Sequence, residues 1–133
     1  MTEPLRIAID READIVSARQ AGRQLAAQHG FTSTEQTLIA TAISEIARNI
    51  LVYAVRGEIL VFVVTDDGKA GIEIKAIDEG PGIPDIDRAM QDGYSTRKSL
   101  GMGLPGARRL MDEFEIQSTV DHGTTVTMRK WRR

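Results

Sequence analysis

Apolar positions in the first half of the chain repeat with the spacing of an α-helix. Residues 10–30 carry them three or four apart, and Gly30 suits the left-handed residue that commonly follows a helix. A stronger repeat of the same kind runs through residues 38–54. Ser33 and Gln36 stand just ahead of it at the spacing of a capping box, so a long second helix is predicted to begin there.

Five shorter segments have the composition of β-strands. They cover residues 5–9, 59–64, 72–76, 114–120 and 124–131. The unbroken apolar run at 59–64 is typical of a strand buried on both faces, or nearly so. Turn residues at 66–71 predict a hairpin between the second and third segments, and Asp121-His122-Gly123 predicts another between the last two.

The region between the third and fourth strands contains two predicted helices. Residues 85–91 could form a short one, and residues 104–111 form the other, with Pro105 in its first turn. Residues 92–100 are polar and are predicted to be mobile. The whole pattern predicts one domain over residues 1–133. Its fold is an α+β two-layer sandwich, with helices on one face of a mixed, mostly antiparallel sheet.

Composition and charge exclude several classes of protein. Lys and Arg total 17 and Asp and Glu total 19, so the net charge of −2 offers no basic footprint for nucleic acid. The absence of cysteine excludes disulfides, thiolate metal sites and a cysteine nucleophile. No apolar run approaches the roughly 20 residues of a membrane span, and no signal peptide is visible. We therefore expect a cytoplasmic protein that binds neither nucleic acid nor a membrane.

One pair of polar residues lies in the second predicted helix. Glu45 and Asn49 are four apart, so they share a helix face. Mg²⁺ takes oxygen ligands and commonly uses one or two protein oxygens plus substrate phosphates, a role that suits the Asn49 amide oxygen. Glu45 could then orient or deprotonate a nucleophile. The plainer interpretation is a solvated helix face on which Glu45 pairs with Arg48 or Arg56, and it stays open at this point.

A glycine- and proline-rich turn follows the third predicted strand. It reads Asp78-Glu79-Gly80-Pro81-Gly82-Ile83-Pro84. Gly80 and Gly82 permit positive φ and a close approach of the backbone. A carboxylate at a strand end needs hydrogen-bond donors, and the exocyclic amine of adenine is one. The alternative is an ordinary loop in which Asp78 only caps the turn.

A second glycine turn precedes the last predicted helix. It reads Gly101-Met102-Gly103-Leu104-Pro105-Gly106. Free backbone N–H groups and the helix dipole favour phosphate at such a helix start. Gly-x-Gly alone is weak evidence, and the chain has neither the P-loop pattern nor the signatures of the eukaryotic protein kinases.

In this order and spacing, the segments resemble the GHKL family of ATP-binding domains, which includes gyrase, Hsp90-type chaperones, histidine kinases and MutL. The match covers residues 44–125 and ends in Gly123-Thr124-Thr125. The resemblance implies the Bergerat fold, with ATP and Mg²⁺ as cofactors. It also implies that Asn49 binds Mg²⁺ and that Glu45 is the base.

The same resemblance assigns roles to the two turns. Asp78 should hold the adenine amino group, supported by Thr124. Gly82 should lie under the base. The other matched nucleotide-site positions are Gly80, Ile83, Gly101, Met102, Gly103, Leu104, Gly106 and Thr125. Arg97 and Lys98 lie near the second turn, and either could be a cationic clamp on the γ-phosphate. The alternative is that Arg97 and Lys98 belong to a charged lid that faces solvent and do not contact the nucleotide.

A finer resemblance is to the small serine/threonine kinases of bacterial partner switching, as in stressosome signalling. It implies that a STAS-domain antagonist or scaffold, of the RsbS or RsbR type, is phosphorylated. The released kinase would then activate an effector, a metal-dependent serine phosphatase being the family expectation. Three alternatives remain: an anti-sigma-factor kinase that sequesters a sigma factor, a nucleotide-responsive binding module without catalysis, and a detached histidine-kinase ATPase domain.

Overall fold

The computed structural model describes residues 4–80, 82 and 103–132. In this part of the chain, five strands form one sheet in the order β1-β2-β3-β5-β4. The strands are β1 (Leu5–Ile9), β2 (Gly57–Asp66), β3 (Lys69–Asp78), β4 (Glu113–Thr119) and β5 (Gly123–Trp131). The helices are α1 (Glu12–Gln28), α2 (Ser33–Tyr53) and α3 (Gly103–Leu110). The predicted α+β fold is confirmed, and every pairing among these strands is antiparallel.

The hydrophobic core lies between the helices and one face of the sheet. Alternate strand residues point to this face, and those from the inner strands are fully buried. They are Ile59, Val61, Ile72, Ile74 and Met128. The α2 side chains that meet them include Ile43, Ile46 and Ile50. Each such aliphatic side chain contributes about 1.5–3 kcal/mol on burial, so this interface stabilises the packing of α2 on the sheet.

The opposite face of the sheet has no helix against it in the described part of the chain. Leu60 and Phe62 point to this open face and are half-buried, whereas their neighbours Ile59 and Val61 are completely buried. The prediction that residues 59–64 are buried on nearly both faces was therefore wrong. A continuous apolar run indicates a central strand, but it does not show how many layers cover that strand.

The hairpin between β2 and β3 is tighter than predicted. Its strands stay paired up to Asp66 and Lys69, so only Asp67 and Gly68 form the loop. Both have positive φ, 52° and 80°, which matches a type I′ turn. Because that turn follows the twist of the flanking strands, the polar residues at 66–71 extend the strands instead of ending them.

The capping box of α2 lies one residue before the predicted one. Thr32 is the N-cap, and its hydroxyl accepts a hydrogen bond from the Glu35 backbone N–H at 3.1 Å. The Glu35 carboxylate accepts from the Thr32 N–H at 2.7 Å. A carboxylate is a stronger acceptor than an amide. Gln36 instead donates its side-chain N–H to the Phe31 carbonyl at 2.9 Å.

The remaining predicted elements agree with the structure to within one or two residues where they can be compared. Gly30 follows α1 with φ +83°, α3 contains Pro105, and the last two strands form the expected hairpin. The predicted helix at 85–91 and the segment 92–100, predicted to be mobile, lie outside the described residues. None of the helices in the described segments is long and apolar enough to cross a membrane.

A polar network covers one end of the open face. Arg129 donates to the carboxylates of Glu73 and Glu113, and the Trp131 indole N–H donates to the second oxygen of Glu113. The hydrogen bond from Trp131 and the nearby Arg129 together hold the pKa of Glu113 below its ordinary value of 4.5. The charged form of Glu113 therefore contributes stability above that pH, and the contribution is lost as pH falls through the lowered value.

The variant Glu113→Gln should lower the unfolding temperature at pH 7 because it removes the charged partner of Arg129 and Trp131. The difference from wild type should shrink as the pH falls below 4.5 and Glu113 becomes protonated in both states. Thermal unfolding from pH 7 down to pH 3 measures this. Glu115→Gln on the same strand is the control, since that carboxylate accepts from Gln117 instead. If the two proteins differed in unfolding temperature by the same amount at every pH, the charge of Glu113 would have no role in stability.

Candidate nucleotide site

Three polar side chains form a row across neighbouring strands on the helix-covered face. Asp78 of β3 pairs with Thr124 of β5, and Thr124 pairs with Ser118 of β4. The next position of the row, on β2, is Gly57. Since paired residues of antiparallel strands share a face, the row presents a carboxylate and two hydroxyls side by side at the end of the sheet.

Asp78 is fixed by two backbone donors on one oxygen. Its Oδ1 accepts from the Gly80 N–H at 2.9 Å and from the Thr124 N–H at 3.3 Å. Asp78 therefore does cap the turn, as the plainer interpretation holds. That role uses only Oδ1, and no donor among the described residues reaches Oδ2. The second oxygen is left as an acceptor held in a fixed direction.

Two glycines allow the turns around Asp78 to pack closely. Gly123 has φ +113°, and a Cβ there would lie 2.1 Å from the Asp78 carbonyl oxygen. Gly82 has φ +81°, and its Cβ would lie 2.4 Å from the Thr119 carbonyl oxygen. Any side chain at either position would force the backbone apart, so glycine is required at both.

Helix α2 ends against the first glycine turn. A Cβ on Gly80 would lie 2.6 Å from the Cβ of Ala54, the C-cap of this helix. At about 1.5 Å per residue, Asn49 lies about 7.5 Å and Glu45 about 13.5 Å back along the axis from Ala54. Helix α2 therefore connects Glu45 and Asn49 rigidly to the Asp78 turn.

Glu45 and Asn49 are both half-buried on α2. Arg48 donates to Glu12 of α1 at 3.2 Å, so it is not the partner of Glu45. Within the described ranges, neither the Glu45 carboxylate nor the Asn49 amide has a side-chain partner. The alternative in which Glu45 pairs with Arg48 or Arg56 is therefore not observed, and both oxygen-bearing groups are available to a ligand.

The second glycine turn leads into α3. Gly103 begins the helix with φ +46°, and its first turn is buried where α3 packs against α2. Leu104 and Gly106 belong to this buried turn. The start of α3 is thus held beside the helix that carries Glu45 and Asn49.

Comparison with known proteins identifies the family. The family model for the histidine kinase-like ATPase domain matches residues 9–130, nearly the whole chain. The chain belongs to this family. The predicted GHKL resemblance and an ATP-binding domain are thereby confirmed.

Two relatives and one solved structure illustrate what this chain is similar to. It is 50% identical to the serine/threonine-protein kinase RsbT of Bacillus subtilis, over 100% of both chains. It is 38% identical to an anti-sigma F factor of Caldanaerobacter subterraneus, covering 86% of this chain and 82% of the relative. A chain of the SiaB–SiaC complex from Pseudomonas aeruginosa has the same fold. The TM-score is 0.55 at 14% identity, over 96% of this chain and 89% of that one. The full-length similarity to RsbT confirms the predicted ATP-dependent serine/threonine-protein kinase.

The structure does not bring every predicted position of this ATPase domain together. Thr125 points to the open face, where it lines a groove with Lys75 and Thr127, so it lies across the sheet from Asp78. We leave Thr125 out of the proposed site for that reason. The predicted positions outside the described residues are Ile83, Arg97, Lys98, Gly101 and Met102.

Sequence reasoning missed two residues that shape this site. Ser118 joins the polar row, and Ala54 supports Gly80. The signal for Ser118 was available in the register of the last hairpin, which places it opposite Thr124. Ala54 gave no comparable signal, because a contact between a helix end and a distant turn depends on the tertiary fold.

The donor set of this ATPase domain fits a nucleotide-bound Mg²⁺. Among the described residues, no group of three acidic or histidine side chains could hold a metal by itself. The Asn49 side chain offers a single neutral oxygen, which accepts from no side chain among the described residues. Magnesium sites of this kind complete their coordination with water and phosphate oxygens, so the residues present are compatible with the ion.

Proposed function

We propose that this chain transfers the γ-phosphoryl group of Mg²⁺-ATP to a serine or threonine hydroxyl of a STAS-domain antagonist. The observation that carries the proposal is the single helix α2, which bears Glu45 and Asn49 and ends on the Asp78 turn. A carboxylate, a metal-ligating amide and a purine acceptor are thus linked through one rigid element. The full-length similarity to RsbT supports the same reaction.

The adenine end of the site would be formed by the polar row and the first glycine turn. Asp78 Oδ2 would accept from the exocyclic amine, Thr124 would support that contact, and Gly82 would lie under the base. The start of α3, with Gly103 and Gly106, would direct backbone N–H groups at the phosphates. Asp78 Oδ2 has no donor among the described residues, and the positive φ of Gly82 brings its turn close to β4.

Phosphoryl transfer depends mainly on the in-line positioning of the reactants and on stabilisation of the charge on the phosphate oxygens, and less on covalent chemistry by the protein. Asn49 would hold the ion, and a bound Mg²⁺ would neutralise charge on the phosphate oxygens. The half-buried Glu45 carboxylate would accept the proton of the attacking hydroxyl and orient that hydroxyl. No ion pair among the described residues competes for Glu45, so its charge is available to the substrate.

By family resemblance, phosphorylation of an antagonist of the RsbS or RsbR type would release this kinase. The free kinase would then activate an effector, for which we propose a metal-dependent serine phosphatase. The chain would therefore be both an enzyme and a switch protein. Its nucleotide site would control which partner it holds.

Incubation of the purified protein with labelled ATP, Mg²⁺ and a candidate STAS-domain protein tests this proposal. We expect label on one serine or threonine of the STAS protein, located by mass spectrometry. The label should be absent when Mg²⁺ is chelated. Nucleotide binding with no transfer to any STAS protein that co-purifies with the chain would instead indicate a binding module without catalysis.

A second candidate function is sequestration of a sigma factor. It is favoured by the 38% identity to an anti-sigma F factor. The chemistry would be the same, but the captive partner would differ. Affinity capture of partners, with and without ATP, separates the two functions, because only the second predicts that a sigma factor is retained.

Arg97 and Lys98 remain the proposed cationic clamp on the γ-phosphate. Truncating both to alanine should slow phosphoryl transfer about 100-fold, because charge that develops in the transition state loses its stabilisation. The affinity for ADP, which lacks the γ-phosphate, should change by no more than about threefold. Single-turnover transfer and calorimetric ADP titration measure the two effects, and an equal loss in both would refute the clamp.

A further inference from the structure

Lys130 is a lysine on the helix-covered face of the sheet. It belongs to β5 and pairs with Ile72 of β3, whose side chain is completely buried in the core. Only 12% of the Lys130 side chain is exposed. An ammonium group in such a place is costly unless hydrogen-bonding partners replace the water that it has lost. Its partners therefore indicate its role.

The ammonium group of Lys130 binds the end of helix α3. Its Nζ donates to the carbonyl oxygen of Leu110, the last residue of that helix, at 3.0 Å. The carboxylate oxygen Oδ1 of Asp112 lies 4.0 Å from the same nitrogen. The last carbonyls of a helix have no intrahelical donor, and they carry the negative end of the helix dipole. A cation there satisfies a carbonyl and stabilises the helix end.

The chain that leaves α3 is held by the same stretch of β5. The Asp112 backbone N–H donates to the Arg129 carbonyl at 2.9 Å, and Asp112 Oδ2 accepts from the Trp131 backbone N–H at 2.8 Å. Both of these contacts lie beyond the last helical residue. Lys130 adds a contact to the helix itself, so three consecutive residues of β5 hold the C-terminal end of α3.

The contact at Leu110 also bears on the opposite end of the helix. Helix α3 has eight residues, so it is about 12 Å long and its first residue, Gly103, moves with its last. Leu104 and Ala107 bury one side of the helix in the core. Hydrophobic contacts are non-directional, so they hold the helix against the core without defining its exact position along its own axis. A hydrogen bond to its last carbonyl defines that position.

We propose that Lys130 is a positioning residue for phosphoryl transfer, which fixes α3 along its axis so that the backbone N–H groups at the Gly103 end meet the nucleotide phosphates. The proposal rests on the proposed function of α3 as the phosphate-binding element, and it adds a residue that lies outside every motif of the sequence. Lys130 contacts neither the nucleotide nor the acceptor hydroxyl in this scheme. It acts only through the helix.

The size of the effect follows from the precision that such a site requires. A displacement of about 1 Å in groups that position a substrate can cost about 100-fold in rate. Leu104 and Ala107 still hold the helix when Lys130 is changed, so the displacement should be smaller. We expect the affinity for ADP to fall about three- to tenfold, which is the range of a lost cation at a helix end.

Calorimetric titration of ADP with Mg²⁺, and of adenosine by competition against ADP, tests the proposal. Adenosine has no phosphate, so it reports only on the adenine end of the site. Lys130→Met keeps the aliphatic stem but loses the donor and the charge. It should weaken ADP about three- to tenfold and leave the affinity for adenosine within about twofold of wild type.

Two matched variants separate position from charge. Lys130→Arg keeps both the charge and the donors, so it should restore the affinity for ADP to near the wild-type value. Lys69→Met removes one positive charge from an exposed lysine at the start of β3, and it should leave both affinities unchanged. If Lys69→Met weakened ADP as much as Lys130→Met, the loss would come from net charge and the proposal would be wrong.

Two further outcomes would overturn the proposal. Lys130→Met could weaken ADP and adenosine equally, which would make Lys130 a support of the whole fold, or it could leave ADP binding unchanged. Thermal unfolding shows whether each variant is folded at the titration temperature. If Lys130→Met is not, Lys130→Gln, a shorter and neutral donor, takes its place in the same comparison. Failure of wild type to bind ADP more tightly than adenosine would instead remove the proposed phosphate role of α3.

Discussion

Replacing Glu45 with alanine should reduce phosphorylation of the STAS-domain partner by about 100-fold or more, because a positioned general base contributes about 10²–10⁴ in rate. The affinity for ADP should stay within a few-fold of wild type, since the proposed role of Glu45 concerns the acceptor hydroxyl and not the nucleotide. Single-turnover transfer from labelled ATP measures the first quantity, and calorimetric titration measures the second.

Two control variants for Glu45→Ala come from helices α1 and α2. Glu12→Ala removes a carboxylate that pairs with Arg48 on α2, and it should leave transfer close to wild type. Glu45→Gln keeps the shape of the side chain without its basicity, and it should be nearly as slow as alanine. If Glu45→Ala lost nucleotide binding and transfer together, Glu45 would be a structural residue of α2.

Replacing Asp78 with asparagine should weaken adenine nucleotides about 10- to 100-fold, because an amide N–H₂ would face the adenine amine donor. The fold should tolerate the change. The asparagine Oδ1 can still accept from the Gly80 and Thr124 N–H groups, which are the contacts that hold the turn. ADP titration should therefore reveal a large loss while the unfolding temperature falls only slightly.

The matched control for Asp78 is Asp66→Asn at the other end of the β2–β3 hairpin, where the side chain is exposed. It removes the same charge without touching the site, so ADP affinity should be unchanged. Unaltered ADP binding by the Asp78 variant would exclude Asp78 from the site. A large drop in its unfolding temperature would show that the turn contacts had not survived the substitution.

The sequence predicted the order and type of the described elements because their local signals agree with the fold. The apolar repeat through residues 38–54 defines α2 without help from tertiary contacts. The capping residue was misjudged by one position because Ser33 and Thr32 are both good caps. The choice depended on whether Glu35 or Gln36 reached back to the helix start.

The candidate site was harder to predict than the fold, because it depends on the pairing register of the strands and on the direction of the side chains. Thr124 and Thr125 are chemically alike, and only the pairing of β5 with β3 decides that Thr124 shares a face with Asp78. Ser118 joins them from a strand that carries no recognised motif. Motif spacing thus located the turns, whereas the hydrogen-bonding partners required the three-dimensional arrangement.

The uncovered side of the sheet has a practical consequence for spectroscopy. Trp131 is the only tryptophan in the chain, and it packs over Gly71 on that side. Gly71 and Asp78 lie seven residues apart on β3, about 23 Å at ~3.3 Å per residue. The intrinsic emission of this fluorophore should therefore report melting of the sheet while remaining insensitive to ligand occupancy, so binding studies need an added chromophore.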